Sequence, residues 1–171
     1  GEYAQMINGE GWLGNNLKCD LKVIAMQNYN HQMKYNLPVH PSPNLATMKA
    51  IYLYPSICFF EGTVMSLGRG TDFAFEVYGN PNYSDTSFSF TPRSIKGKSM
   101  DPPLKGEKCY GKDLRLLNED SIRAQGLDLS YLIDAYHNTK TQNFFSLKTH
   151  FDLCAGSSLL RKQIMAGMTE A

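Results

Sequence analysis

The sequence lacks the charge excess and the long apolar run that would each place it in a well-defined functional class. Its 171 residues carry 17 basic and 16 acidic side chains, which leaves a formal net charge of +1. Phosphate binding needs clustered Lys and Arg, so this balance predicts no nucleic-acid partner. No apolar run approaches the roughly 20 residues that a membrane-spanning helix needs, so no membrane span is predicted. Gly1-Glu2-Tyr3-Ala4 has neither the basic nor the apolar region of a signal peptide.

Motifs for metals and nucleotides are also missing. The 4 cysteines form no CxxC pair, and the 4 histidines form no HExxH pair. Gly97-Lys98-Ser99 matches the end of a phosphate-binding loop, but Pro92 stands where that motif requires its first glycine. We therefore predict no metal and no cofactor. The pattern leaves two states open for the cysteines, namely buried free thiols or a disulfide such as Cys58 to Cys109 in an oxidising compartment.

What is present is a mixed order of helical and extended patterns, which predicts a single compact α+β domain with a mixed sheet flanked by helices. Helices are predicted at Glu2–Ile7, from Met48 to an interruption at Pro55, at Leu129–Tyr136 after a cap at Asp128 or its neighbour, and at Ser157–Ala166. A further helical turn is predicted at Ser56–Gly62. Strands are predicted at 21–26, 73–78 and 108–117, with a long loop at Ser84–Glu107 that holds a short strand at Phe88–Phe90.

The segment from Phe60 to Glu76 combines glycine, arginine and carboxylates. Gly68 and Gly70 flank Arg69, which lets a tight loop present the planar guanidinium. Carboxyl groups perform acid–base chemistry on glycosidic bonds, and Asp, Glu and Arg commonly fix sugar hydroxyls. The segment is therefore typical of a sugar site. A purely structural role is the alternative, in which Arg69 anchors its loop through a salt bridge with Asp72.

Short blocks along almost the whole chain resemble one family. The blocks are Pro41-Ser42-Pro43-Asn44, Tyr54-Pro55, Cys58-Phe59-Phe60-Glu61-Gly62-Thr63, Ser66-Leu67-Gly68-Arg69-Gly70-Thr71, Phe75-Glu76, Gly79-Asn80-Pro81, Cys109-Tyr110-Gly111 and Phe151-Asp152. They look like the conserved blocks of the NamZ-type exo-β-N-acetylmuramidases, long known as a domain of unknown function.

This resemblance implies that residues 1–171 are the C-terminal half of a two-domain protein. Its Rossmann-like N-terminal domain, expected to carry a catalytic glutamate, lies outside this chain. The implied parent is a bacterial glycoside hydrolase that releases N-acetylmuramic acid from the non-reducing ends of peptidoglycan fragments. The implied partners are peptidoglycan sugars and the N-terminal domain, and the implied location is periplasmic or extracellular.

The chemistry of the implied substrate, together with the residues near Arg69, predicts a set of site residues. Arg69 is expected to bind the lactyl carboxylate that distinguishes N-acetylmuramic acid from N-acetylglucosamine, and Glu61 to support catalysis. The other expected substrate-binding residues are Asn44, Gly70, Thr71, Asp72 and Glu76. Two other functions stay open, a non-catalytic carbohydrate-binding module and a domain that only stabilises its N-terminal neighbour.

Overall fold

The computed structural model describes residues 1–168, and the chain divides into two compact units, Gly1–Asn36 and the residues from Leu37 onward. The predicted α+β class is confirmed, since the described residues form six α-helices, a 3₁₀ helix and a three-stranded sheet. Where the sequence predicted one compact domain, the structure has two units, because none of residues 1–36 is buried. None of the described helices is long and apolar enough to span a membrane.

The first unit consists of helix α1, Glu2–Gly9, and an irregular segment. The Asn8 side chain joins the two, since it donates to the Cys19 carbonyl at 3.0 Å and accepts from the Cys19 amide at 2.8 Å. The buried strand predicted at 21–26 is wrong: Ile24 is 87% exposed and Met26 69% exposed. A strand needs a neighbour to satisfy its backbone groups, and this segment pairs with no described residue.

The second unit begins its regular structure with helix α2, Met48–Ile57. The Thr47 side chain caps it by accepting from the Ala50 amide at 3.0 Å. Pro55 was predicted to interrupt this helix, but it lies inside the helix, which continues to Ile57. It removes only one hydrogen bond near the C-terminal end, and the Cys58 amide restores the pattern by donating to the Tyr54 carbonyl. The predicted turn that follows is a 3₁₀ helix at Cys58–Gly62.

The sheet contains β1, Val77–Asn80, β2, Ser89–Phe90, and β3, Cys109–Asp113, in the order β1–β3–β2. The sheet was predicted to be mixed, but every described pairing in it is antiparallel. Loops without a crossover helix join these strands, and parallel pairing would need such a crossover. The short strand predicted at Phe88–Phe90 is confirmed as β2. β1 begins later than predicted because Phe75, at φ 62°, turns the chain just before it.

Four further helices complete the second unit: α3, Glu119–Gln125, α4, Ser130–Asn138, α5, Lys148–Cys154, and α6, Leu159–Met165. Helices α4 and α6 were predicted, and the Asp128 carboxylate accepts from the Ser130 amide at 2.8 Å. Helices α3 and α5 were missed, since neither has apolar residues at the four-residue spacing that Leu160 and Ile164 show in α6.

The core of the second unit lies between α2, α4, α5 and the sheet. Its largest fully buried apolar side chains are Leu53, Ile57, Phe60, Phe75, Tyr78, Leu132 and Phe151. All four cysteines are free thiols, so Cys58 and Cys109 are not joined. Burial raises the pKa of the Cys58 thiol to about 11.

A buried hydrogen-bond network ties α4 to the sheet. The hydroxyls of Tyr78 and Tyr83 donate to one oxygen of Asp134, at 2.6 and 2.5 Å, and the Asn138 amide donates to the other at 2.9 Å. Burial, followed by the bond to Asp134, raises the pKa of both tyrosines above the ordinary value. Each tyrosine must therefore stay protonated for the network to hold.

This network predicts a loss of stability in alkali. The folded state raises both tyrosine pKa values above 10. The contribution of these tyrosines to the free energy of unfolding is therefore complete below pH 10 and is lost as the pH rises further. The free energy of unfolding should fall by about 1.4 kcal/mol per pH unit for each tyrosine. Urea unfolding between pH 8 and 11.5 measures it, and the double variant Tyr78→Phe with Tyr83→Phe should show a shallower fall than the wild type. Tyr110→Phe, a tyrosine on the same sheet that does not bond Asp134, should keep the wild-type slope; equal slopes for all three proteins would contradict the prediction.

Candidate functional site

The second unit has a cavity of about 670 Å³, called here the main cavity because it is more enclosed than a depression of similar volume beside it. Apolar side chains that include Val64, Leu67 and Leu104 line much of it, and charged groups project from its walls. The charged lining residues are Glu61, Arg69 and Glu107. An apolar cavity with a few convergent polar groups is the usual form of a small-molecule site.

Arg69 and Glu61 form an ion pair at this cavity. The Arg69 Nη2 lies 2.7 Å from the Glu61 Oε1, and the side chains are 36% and 26% exposed. The guanidinium also lies over the Phe75 ring, 5.1 Å from its centroid, and the Tyr54 ring packs on Phe75 at 5.3 Å. Burial and the Glu61 charge raise the pKa of Tyr54. The structural partner of Arg69 is thus Glu61, where the alternative interpretation had expected Asp72.

The guanidinium keeps unused hydrogen-bonding capacity. Its Nε is buried and has no acceptor within residues 1–168, and Glu61 is the only described carboxylate that pairs with it. A buried donor without an acceptor costs free energy, so it favours any conformation or ligand that supplies one. Nε is closed to solvent, whereas Nη1 forms no hydrogen bond with the described residues and the side chain is 36% exposed, so Nη1 is the part of the planar fork that an anion can reach.

The loop that presents Arg69 requires glycine on both sides. Gly68 and Gly70 have φ of 71° and 83°. A Cβ on Gly70 would lie 2.5 Å from the Arg93 carbonyl oxygen, and the Arg93 amide donates to the Gly70 carbonyl at 2.9 Å. The Thr71 hydroxyl closes the loop by donating to the Gly68 carbonyl at 2.6 Å. Gly70 and Thr71 therefore shape the loop and do not line the cavity.

The remaining predicted residues lie round a separate, much smaller cleft. It is lined by residues that include Asn44, Thr71, Asp72, Glu76 and Lys98. Glu76 is only 8% exposed and accepts from the Thr47 hydroxyl at 2.5 Å. The Asn44 amide donates to the Lys98 carbonyl at 3.3 Å. The structure thus brings Glu61 and Arg69 together at the main cavity and leaves Asn44, Thr71, Asp72 and Glu76 apart from them.

Two residues that line the cavity, Glu107 and Asn80, were not predicted from the sequence to be site residues. Glu107 stands just before β3, after Gly106 at φ 82°, within what reads as a surface loop. Asn80 is 5% exposed, donates to the Val64 carbonyl at 2.7 Å and accepts from the Asn82 amide at 2.9 Å. Within the described residues, no three His, Cys, Asp or Glu side chains come together to hold a metal ion.

Comparison with known proteins identifies the family. The family model described as "Exo-beta-N-acetylmuramidase NamZ, C-terminal" matches residues 52–171, and its N-terminal counterpart matches residues 1–49. The chain belongs to the NamZ family. The peptidoglycan beta-N-acetylmuramidase NamZ of Bacillus subtilis (strain 168) is 31% identical over 182 residues, which cover 98% of this chain and 43% of that relative.

Solved structures agree with this NamZ assignment. A DUF1343 family protein from Bacteroides fragilis is 50% identical with a TM-score of 0.87, over 99% of this chain and 47% of that one. A second DUF1343 protein from the same species shares the fold, with a TM-score of 0.68 at 18% identity, over 96% of this chain and 47% of its own. The chain thus spans less than half the length of these relatives.

The two NamZ models divide the chain between Lys49 and Tyr52, at the start of α2. Glu61 and Arg69 both lie in the part that the C-terminal model matches. The first unit, Gly1–Asn36, lies in the part that the N-terminal model matches. That residues 1–171 are the C-terminal half of the protein stays a prediction.

Proposed function

We propose that this chain forms one side of the sugar-binding cleft in a longer glycoside hydrolase that releases N-acetylmuramic acid from the non-reducing ends of peptidoglycan fragments. Membership of the NamZ family and the activity for which the Bacillus subtilis relative is named support the reaction. The substrate implies a periplasmic or extracellular location. The acid–base glutamate would come from the N-terminal half of the protein, which the relatives' greater length can accommodate.

The observation that carries the proposal is Arg69 at the wall of the main cavity, where its Nη1 forms no hydrogen bond with the described residues and its side chain is 36% exposed. N-acetylmuramic acid differs from N-acetylglucosamine by a lactyl ether that ends in a carboxylate. An arginine with unused donors is suited to that group, because guanidinium and carboxylate match in geometry and charge. The apolar lining gives the lactyl and acetamido methyl groups a dry surface.

Glu61 acts in this proposal as a positioning residue. Its carboxylate already pairs with Arg69 at 2.7 Å, so it holds the guanidinium at the cavity wall. The predicted supporting role of Glu61 therefore takes the form of orienting Arg69.

Hydrolysis of a chromogenic N-acetylmuramic acid β-glycoside tests the proposal. The full-length parent protein and this chain alone are assayed side by side, with the matching N-acetylglucosamine glycoside as the control substrate. We expect turnover by the full-length protein only, and of the muramic acid substrate only. Sugar binding without turnover by either protein would instead support the carbohydrate-binding module, and neither binding nor turnover would support a purely structural domain.

A further inference from the structure

A second depression adjoins the main cavity. Its volume is about 680 Å³, and it is more open to solvent than the cavity. The residues that line it are Asn143, Ser146, Leu147, Lys148, Thr149 and His150, with Leu153 at its edge. Leu147 also lines the main cavity, so the two spaces adjoin at this residue.

The segment that forms this depression is fixed to the wall that carries Glu61. The Leu147 amide donates to the Gly62 carbonyl, and the Val64 amide donates to the Phe144 carbonyl, both at 3.0 Å. Gly62 packs so closely on α5 that a Cβ there would lie 2.6 Å from the Phe151 Cβ. Backbone hydrogen bonds and close packing therefore hold the depression in a set position relative to the Glu61–Arg69 pair.

The lining has the chemistry of a saccharide site. Its amide, hydroxyl, ammonium and imidazole groups can donate to or accept from ring hydroxyls and an acetamido group. Leu147 and Leu153 offer apolar surface to the C–H groups of a sugar ring. None of the described residues that line the depression is a carboxylate, and Lys148 forms no ion pair with any residue from 1 to 168. The Lys148 ammonium is therefore free to donate hydrogen bonds to the hydroxyl or carbonyl oxygens of a ligand.

We propose that this depression binds the sugar on the leaving-group side of the scissile bond, an N-acetylglucosamine unit in peptidoglycan. The inference rests on the proposed function, because it takes the muramic acid unit to occupy the main cavity. The two sugars would then lie on either side of Leu147. The residues of the depression determine which leaving groups are accepted and take no part in the bond-breaking step.

The test compares two substrates in the full-length parent protein. One is the disaccharide of N-acetylmuramic acid β-linked to N-acetylglucosamine, and the other is an aryl β-glycoside of N-acetylmuramic acid, whose leaving group makes no such hydrogen bonds. In the double variant Asn143→Ala with Lys148→Ala, kcat/KM for the disaccharide should fall about tenfold or more, while that for the aryl glycoside should stay within about twofold of the wild type. Both side chains are exposed and the structure gives neither a structural hydrogen bond, so the variant should fold.

Lys140→Ala is the matched control, since Lys140 is an exposed lysine of the same connection that lines neither space. This variant should keep the wild-type kcat/KM for both substrates. Equal losses on the two substrates, or no loss on either, would overturn the proposal. A loss seen only with substrates that carry a stem peptide would also overturn it, because the occupant would then be peptide. If the wild-type protein hydrolyses neither substrate, it is the proposed function that fails.

Discussion

Replacing Arg69 by alanine in the full-length parent protein is expected to lower kcat/KM for N-acetylmuramic acid glycosides by about 100-fold or more. The substitution removes the group proposed to bind the lactyl carboxylate and leaves Glu61 at the cavity as an unpaired negative charge. That charge would repel the substrate carboxylate. The ratio of kcat/KM for the muramic acid and glucosamine glycosides, measured on wild type and variant, reports the change in preference.

Three further variants separate recognition of the carboxylate from general damage. Arg69→Lys keeps the charge but loses the planar fork, so it should recover only part of the preference. Glu61→Gln retains a hydrogen-bonding side chain beside Arg69 and should cost about tenfold, as expected of a positioning residue. Arg93→Ala is the matched control, because Arg93 is exposed and meets the Arg69 loop through its backbone. If Arg69→Ala lowered kcat/KM equally for the muramic acid and glucosamine glycosides, the assignment of Arg69 to the lactyl carboxylate would be wrong.

The second large effect is expected in stability, at Gly111 in the middle strand of the sheet. Gly111 stands opposite Gly79 in the β1–β3 pairing. A Cβ on Gly111 would lie 1.9 Å from the Tyr78 carbonyl oxygen and 2.6 Å from the Gly79 Cα. Both contacts are with backbone, so only separation of the strands would relieve them. Gly111→Ala should therefore lower the free energy of unfolding by roughly 4 kcal/mol or prevent folding.

Urea unfolding of this chain measures the effect, with Gly97→Ala as the control. Gly97 also belongs to the second unit, has φ of 79°, and has open space where its Cβ would be. Its substitution should cost about 1 kcal/mol, from backbone strain alone. Similar losses for the two variants would show that the close approach of β1 and β3 does not set the requirement for glycine at 111.

The elements that were predicted well carry their own local signals. Helix α4 has apolar residues at helical spacing and Asp128 ahead of it, and the short strand β2 is marked by aromatic residues. The segment at 21–26 has an equally apolar pattern, yet its side chains are exposed. Periodicity reports which residues are apolar and says nothing about whether a neighbour covers them.

The candidate site was predictable only in part, for a similar reason. The glycines round Arg69 indicated a presented guanidinium, and Glu61 was singled out as a nearby carboxylate. Which carboxylate pairs with Arg69 depends on how the 3₁₀ helix meets the loop, a contact that spacing alone does not determine. Glu107 reaches the same cavity from 38 residues beyond Arg69. Only the fold brings such distant residues together.

The pairing of Glu61 with Arg69 also determines how an anion would be selected. The two charges cancel at a distance, and Glu107 adds a negative charge to the cavity, so the site exerts no long-range attraction on a carboxylate. The substrate carboxylate would meet the open part of the guanidinium only at contact, inside a partly apolar space that counterions enter poorly. Sugar discrimination should therefore depend little on ionic strength.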